Sequence, residues 1–105
     1  MRASQQGHLN IVRFLVESGA AVDTPDNDGW TPLLVASQEG YLNIVRFLVE
    51  SGAAMDTPNN ERWTPLLGAS QEGHQDIVRF LVESGAAVGT PDNKGWTPLL
   101  GASLQ

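Results

Sequence analysis

The chain has 105 residues, 41% of them apolar and 17% charged, the balance of one soluble globular domain rather than a disordered polymer. Its net charge of −6 repels phosphate backbones and anionic lipid, so neither nucleic acid nor a membrane is expected as a partner. With no cysteine, disulfides, thiolate metal sites and thiol catalysis are excluded. The first residues, Met1-Arg2-Ala3-Ser4-Gln5-Gln6, hold no apolar signal core, and the apolar runs fall well short of the about 20 residues of a membrane span. A cytoplasmic or other intracellular location is the expectation.

Followed along the chain, the sequence repeats itself. Trp30, Trp63 and Trp96 stand 33 residues apart, and each opens the string Trp-Thr-Pro-Leu-Leu. The segment from Ile11 to Ala20 recurs at 44–53 and 77–86, and Thr24-Pro25 recurs as Thr57-Pro58 and Thr90-Pro91. A single domain over 1–105 is therefore expected, with a partial repeat over 1–29, repeats over 30–62 and 63–95, and a partial repeat over 96–105.

Each unit reads as helix, tight turn, helix and loop. Thr31 can cap free backbone N–H groups and Pro32 suits a first helical turn. The first helix runs through Leu33 to Glu39 and stops near Gly40. A second helix runs from about Asn43 to Ser51, with Gly52 as its stop. Its segment Ile44-Val45-Arg46-Phe47-Leu48-Val49 is apolar round most of its circumference, so it must be covered on several sides. From Ala53 to Arg62 turn formers dominate and no helical period survives.

This unit resembles the ankyrin repeat, which shares the period and the pattern Thr-Pro-Leu-His-x-Ala. Gly7-His8, Gly40-Tyr41 and Gly73-His74 are similar to the family's turn between helices, and Gly19-Ala20, Gly52-Ala53 and Gly85-Ala86 to its step after the second helix. Asp26-Asn27-Asp28-Gly29 and Asp92-Asn93-Lys94-Gly95 resemble the turn at its loop tip. The resemblance covers nearly the whole chain and implies an all-α ankyrin-type solenoid of antiparallel helix pairs joined by β-hairpin-like loops. Three departures stand out. Leu34, Leu67 and Leu100 replace the motif histidine and are expected to bury apolar area instead of bonding between repeats. Gly68 and Gly101 stand where the first copy has Val35, at a helix-interior cost of roughly 1 kcal/mol relative to alanine. Arg62 occupies the position of Gly29 and Gly95; if positive φ is needed there, its Cβ costs about 1–2 kcal/mol.

No catalytic constellation emerges, and no cofactor or metal is expected. His8 and His74 lie two repeats apart, on the order of 16–20 Å at the usual helix spacing, and read as turn residues satisfied by local backbone. The stretch from Asp23 to Gly29 superficially suggests a calcium loop, but Thr24 falls at the first ligand position and Val35 at the twelfth. Ser4, Ser37, Ser70 and Ser103 lack a repeated base and read as small residues that admit close helix packing. Arg13/Glu17, Arg46/Glu50 and Arg79/Glu83 read as exposed i,i+4 pairs without a binding role.

The resemblance implies a protein-interaction module whose concave surface of loop tips and helix ends takes a polypeptide, one with basic or hydrogen-bonding groups. Carried onto this sequence, that surface comprises Trp30, Trp63 and Trp96, the tip residues Asn27, Asp28, Asn60, Glu61, Asn93 and Lys94, and Gln38, Glu39, Gln71 and Glu72 at the helix ends. A layer spacing of ~8–10 Å is expected to hold the indoles too far apart to stack, leaving separate docking points. Each tryptophan could instead pack over its own loop. The alternative is a structural scaffold: a self-associating piece of a longer array, or an engineered repeat scaffold. Neither end resembles a polar capping repeat, so a fragment of such an array, or end-to-end association through the outer helices, is expected.

Overall fold

A computed structural model of the chain describes residues 2–99 and the side chains of 9–99. Leu100, Gly101 and Ser103, and the side chains of Ser4 and His8, lie outside the described set. The described helices are α1 (Arg2–Glu17), α2 (Pro32–Glu39), α3 (Leu42–Glu50), α4 (Pro65–Gln71) and α5 (Gln75–Glu83).

The Thr-Pro starts act as the sequence dictates. Thr31 Oγ1 accepts the amide of Leu34 at 3.2 Å, and Thr64 Oγ1 accepts that of Leu67 at 3.2 Å. Each satisfies a donor that the first helical turn leaves without an internal partner. Gly40 closes α2 in the left-handed region at φ 85°, and its amide reaches back to the carbonyl of Ala36.

The first unit departs from expectation. The turn foreseen at Gly7-His8 is not made, and α1 runs through it as one 16-residue helix. Breaking the helix at Gly7 would forgo the backbone bonds that α1 makes across it. Continuing the helix through one glycine costs roughly 1 kcal/mol by comparison.

The helices form two rows. α2 packs on α4 in one row, α1 on α3 and α3 on α5 in the other, and α2–α3 and α4–α5 join the rows. Leu33, Leu34, Val45, Leu48, Leu66, Leu67, Ile77 and Leu81 are fully buried between them. Burial of such a side chain contributes roughly 1.5–3 kcal/mol. Leu34 and Leu67 are thus core residues at the family's histidine position. The expected covering of α3 on several sides is also present: Ile44, Val45 and Leu48 are buried, and Phe47 and Val49 are half-buried.

Two readings of the outer surface need correction. The arginines do not pair with the glutamates four residues on; no such ion pair closes among the described residues. The Arg13 guanidinium lies over the Phe47 ring at 5.2 Å, and Arg46 lies over Phe80 at 5.6 Å, each reaching into the next repeat. A weakly hydrated planar cation gains more over a half-buried ring than from an exposed flexible carboxylate. His74 likewise looks beyond its own turn. Its Nε2 sits 2.9 Å from the carbonyl of Gln38 in the preceding repeat, and its ring lies against Gly40, where an added Cβ would meet it at 2.7 Å. The serines divide: Ser70 Oγ donates to the Leu66 carbonyl at 2.7 Å, whereas Ser37 Oγ is buried with no partner.

Candidate interaction surface

The loop tips are built by one device used three times. Asp26 Oδ1 accepts the amides of Asp28 and Trp30, each at 2.9 Å. Asn59 Oδ1 accepts those of Glu61 and Trp63 at the same distance, and Asp92 Oδ1 those of Lys94 at 2.8 Å and Trp96 at 2.9 Å. An aspartate or asparagine opening a turn holds the backbone ahead of it in this way. Backbone bonds close the same loops: Asp26 N–H donates to the Trp30 carbonyl at 3.0 Å and Gly29 N–H to the Asp26 carbonyl at 3.0 Å. The carboxylate of Asp26 is therefore engaged by its own turn, in keeping with the turn reading over the calcium-loop one.

Neighbouring tips are tied together. The amide of Asn60 donates to the Asp28 carbonyl at 2.9 Å, and that of Asn93 to the Glu61 carbonyl at 3.1 Å. The side-chain amides run parallel to these bonds, Asn60 Nδ2 to the Asn27 carbonyl at 3.3 Å and Asn93 Nδ2 to the Asn60 carbonyl at 3.2 Å. Further back, Asp23 Oδ1 accepts the Ala54 amide and Asp56 Oδ1 the Ala87 amide, both at 2.9 Å. The tip row is thus a rigid edge. Gly29 is needed within it: its φ is 84°, and a Cβ would fall 3.0 Å from the Asn59 Cα and 3.0 Å from the Asn60 nitrogen.

On this frame the sequence-derived surface residues separate into two groups. Asp28, Glu61, Lys94, Glu39 and Glu72 are exposed. Asn60 and Asn93 are exposed too, but their side chains are already engaged in the ladder, and Asn27 supplies a carbonyl to it. Gln38 and Gln71 are half-buried; the Gln38 Cβ lies 3.6 Å from where a Cβ on Gly68 would stand, so Gln38 faces α4.

Trp30, Trp63 and Trp96 are all half-buried. The expectation that the indoles stand apart is corrected for one pair: the Trp30 and Trp63 ring centroids are 6.4 Å apart, with planes tilted by 51°. Helix spacing sets the distance between backbones, but long side chains leaning the same way along the stack close part of it. The separation falls within the about 4.5–7 Å range of favourable aromatic pairs. These two rings form one continuous apolar surface rather than two separate docking points. Beside Trp30 opens an apolar groove of about 580 Å³, lined among others by Ile11, Val12, Pro32, Val35, Ile44 and Leu48.

What sequence reasoning missed here is mostly contact between repeats. The 33-residue offset shared by the asparagines was the available signal, because an amide recurring at a tip is placed to bond its own copy in the next unit. No helix among the described residues is long and apolar enough to cross a membrane. No curated protein matches the chain. A family model described as "Ankyrin repeats (3 copies)" matches residues 1–59 and again 51–105. Period, capped helix pairs, left-handed glycine turns and this match agree, and the chain belongs to the ankyrin-repeat family.

Proposed function

We propose that the chain binds an extended polypeptide along the stripe formed by Trp30, Trp63 and Trp96 with the exposed tip and helix-end residues Asp28, Glu61, Lys94, Glu39 and Glu72. Ankyrin repeats are in general protein–protein interaction modules and are typically non-enzymatic. The observation that carries the reading is the Trp30–Trp63 pair, half-buried and in mutual contact on a tip row held rigid by the ladder. Two indoles fixed in this way offer a broad apolar surface at little entropic cost, and tryptophan is enriched among residues that dominate binding energy. Asp28, Glu39, Glu61 and Glu72 of this stripe are exposed carboxylates against the exposed cations Lys94 and Arg62, and the acidic excess favours a segment with basic or N–H-donating side chains. Asn27, Asn60 and Asn93 serve this surface by fixing its spacing, and Gln38 and Gln71 border it.

The test is affinity capture with the intact chain beside a Trp30→Ala/Trp63→Ala variant whose circular dichroism and melting temperature establish that it is folded. Loss of one captured polypeptide by the variant, with restoration by Trp30→Phe/Trp63→Phe, is the expected result. Capture indifferent to both changes would sink the reading and favour a scaffold role.

A further inference from the structure

We propose that the outer face of the α1–α3–α5 row is an interface with a second copy of this chain, held by a line of arginines on each copy against a line of glutamates on the other. None of its residues belongs to the tryptophan stripe, so this contact and the polypeptide reading are tested separately.

The face follows from the helix period. In α3 the buried residues are Ile44, Val45 and Leu48. At about 100° per residue, Arg46 and Glu50 fall on the opposite side of that helix. α5 repeats the arrangement, with Ile77 and Leu81 buried and Arg79 and Glu83 opposite them. Arg13 and Glu17 hold the same positions in α1, and all six side chains are exposed. Because α1 packs on α3 and α3 on α5, the six charges form two lines along the stack. One line is cationic and the other anionic, four residues apart along each helix, about 6 Å. Asp76 lies one turn before Arg79, outside both lines.

Stacking of the repeats leaves these charges open. Arg13 is drawn over Phe47 and Arg46 over Phe80 in the next unit, so neither closes on the glutamate four residues on. No ion pair engages any of the six among the described residues. A guanidinium lying flat on a ring still presents its fork of N–H donors at the edge, the geometry that takes a carboxylate on two bonds. Ordering a long side chain is a large part of what makes an exposed ion pair weak. For Arg13 and Arg46 the phenyl ring beneath has already done much of that ordering.

The pattern selects the partner. Three arginines against three glutamates leave the face without net sign, although the chain as a whole carries −6. A uniformly acidic or basic partner would meet one of the two lines with like charge, which is unfavourable. A second copy carries both lines at the same spacing. Rotated by half a turn about an axis that runs along the stack midway between the lines, it lays its own glutamates opposite Arg13, Arg46 and Arg79. The same rotation sets its arginines opposite Glu17, Glu50 and Glu83. The contact is isologous and closes at a dimer. The half-buried Phe47 and Phe80 rings lie under the arginines, and pairs formed beside such surface are screened less than open ones.

Sedimentation velocity of the full chain over rising concentration, in about 10 mM and about 1 M salt, reads the contact directly, because the Debye length falls from about 30 Å to about 3 Å between them. The intact chain is expected to approach twice its monomer mass in low salt and to return to monomer in high salt. Arg46→Glu/Arg79→Glu makes both lines acidic over α3 and α5, and Glu50→Arg/Glu83→Arg makes both basic. Each should weaken self-association at least about tenfold with unchanged circular dichroism. The second variant keeps Arg46 over Phe80, so its effect is not that of a lost packing contact. All four substitutions in one chain exchange the lines at unchanged net charge, and self-association should return. An intact chain that stays monomeric in low salt, association that survives high salt or either reversal, or a folded four-substitution variant that stays monomeric would each overturn the proposal.

Discussion

Arg62 holds a left-handed backbone, φ 66°, at a position where the other two copies have Gly29 at φ 84° and Gly95 at φ 80°. It is the one non-glycine residue in that region among the described residues. A Cβ there costs about 1–2 kcal/mol. Replacement by glycine removes this cost, while the added freedom of the unfolded chain returns about 0.4–1 kcal/mol. The side chain is exposed, and the turn bond from its amide to the Asn59 carbonyl at 2.9 Å is kept by any residue except proline. The net gain for Arg62→Gly is thus about 0.5–1 kcal/mol. For a domain of this size that raises Tm by roughly 2–8 °C. Thermal and urea unfolding of Arg62→Gly, Arg62→Asn and Arg62→Ala should rank glycine first and asparagine second, with alanine close to the parent, since asparagine tolerates this region and alanine does not. Equal stabilities for glycine and alanine, or a glycine variant below the parent, would refute the strain argument.

Three other substitutions test the packing. Ser37→Ala removes a buried hydroxyl without a partner and should stabilise by about 1–3 kcal/mol in urea melts, whereas Ser70→Ala, which gives up a bond to Leu66, should change stability by less. Gly29→Ala should cost more than Gly95→Ala in the same assay: both have positive φ, but only at Gly29 does a Cβ meet the next loop's backbone at 3.0 Å, and equal losses would rule out that close approach. Gly68→Ala should stabilise by about 0.5–1 kcal/mol, since a Cβ there would sit at ordinary contact distance, 3.5 Å from Leu34 Cδ1, and helix propensity favours alanine. A destabilised Gly68→Ala would mean that the α2–α4 contact needs the glycine.

Most of the fold is legible in the sequence because each unit carries its own punctuation. Thr31-Pro32 and Thr64-Pro65 start helices, Gly40 and Gly52 stop them, and the leucines between supply the buried face, all within a few residues of one another. What escapes is set by the register of one unit on the next. Arg46 meets a glutamate in its own helix by spacing, but the Phe80 ring that it lies over belongs to a helix placed only by stacking. His74 looks locally satisfiable, yet its acceptor is 36 residues back. The Trp30–Trp63 contact depends on the lean of two long side chains, to which an estimate from helix spacing is blind. The unbroken α1 escaped as well: Gly7-His8 carries the turn motif, yet the helix runs through it from Arg2 to Glu17.

The tip clamp has a consequence for how duplicated copies drift apart. Positions 27, 60 and 93 are all asparagine, and at 60 and 93 the side-chain amide is committed to the preceding tip. The next position contributes its backbone alone, amide to the clamp and, at Asp28 and Glu61, carbonyl to the ladder, so its side chain answers to no structural demand. There the three copies read Asp28, Glu61 and Lys94. One residue per repeat is released to change charge while the frame stays fixed, and the chain has already used that latitude.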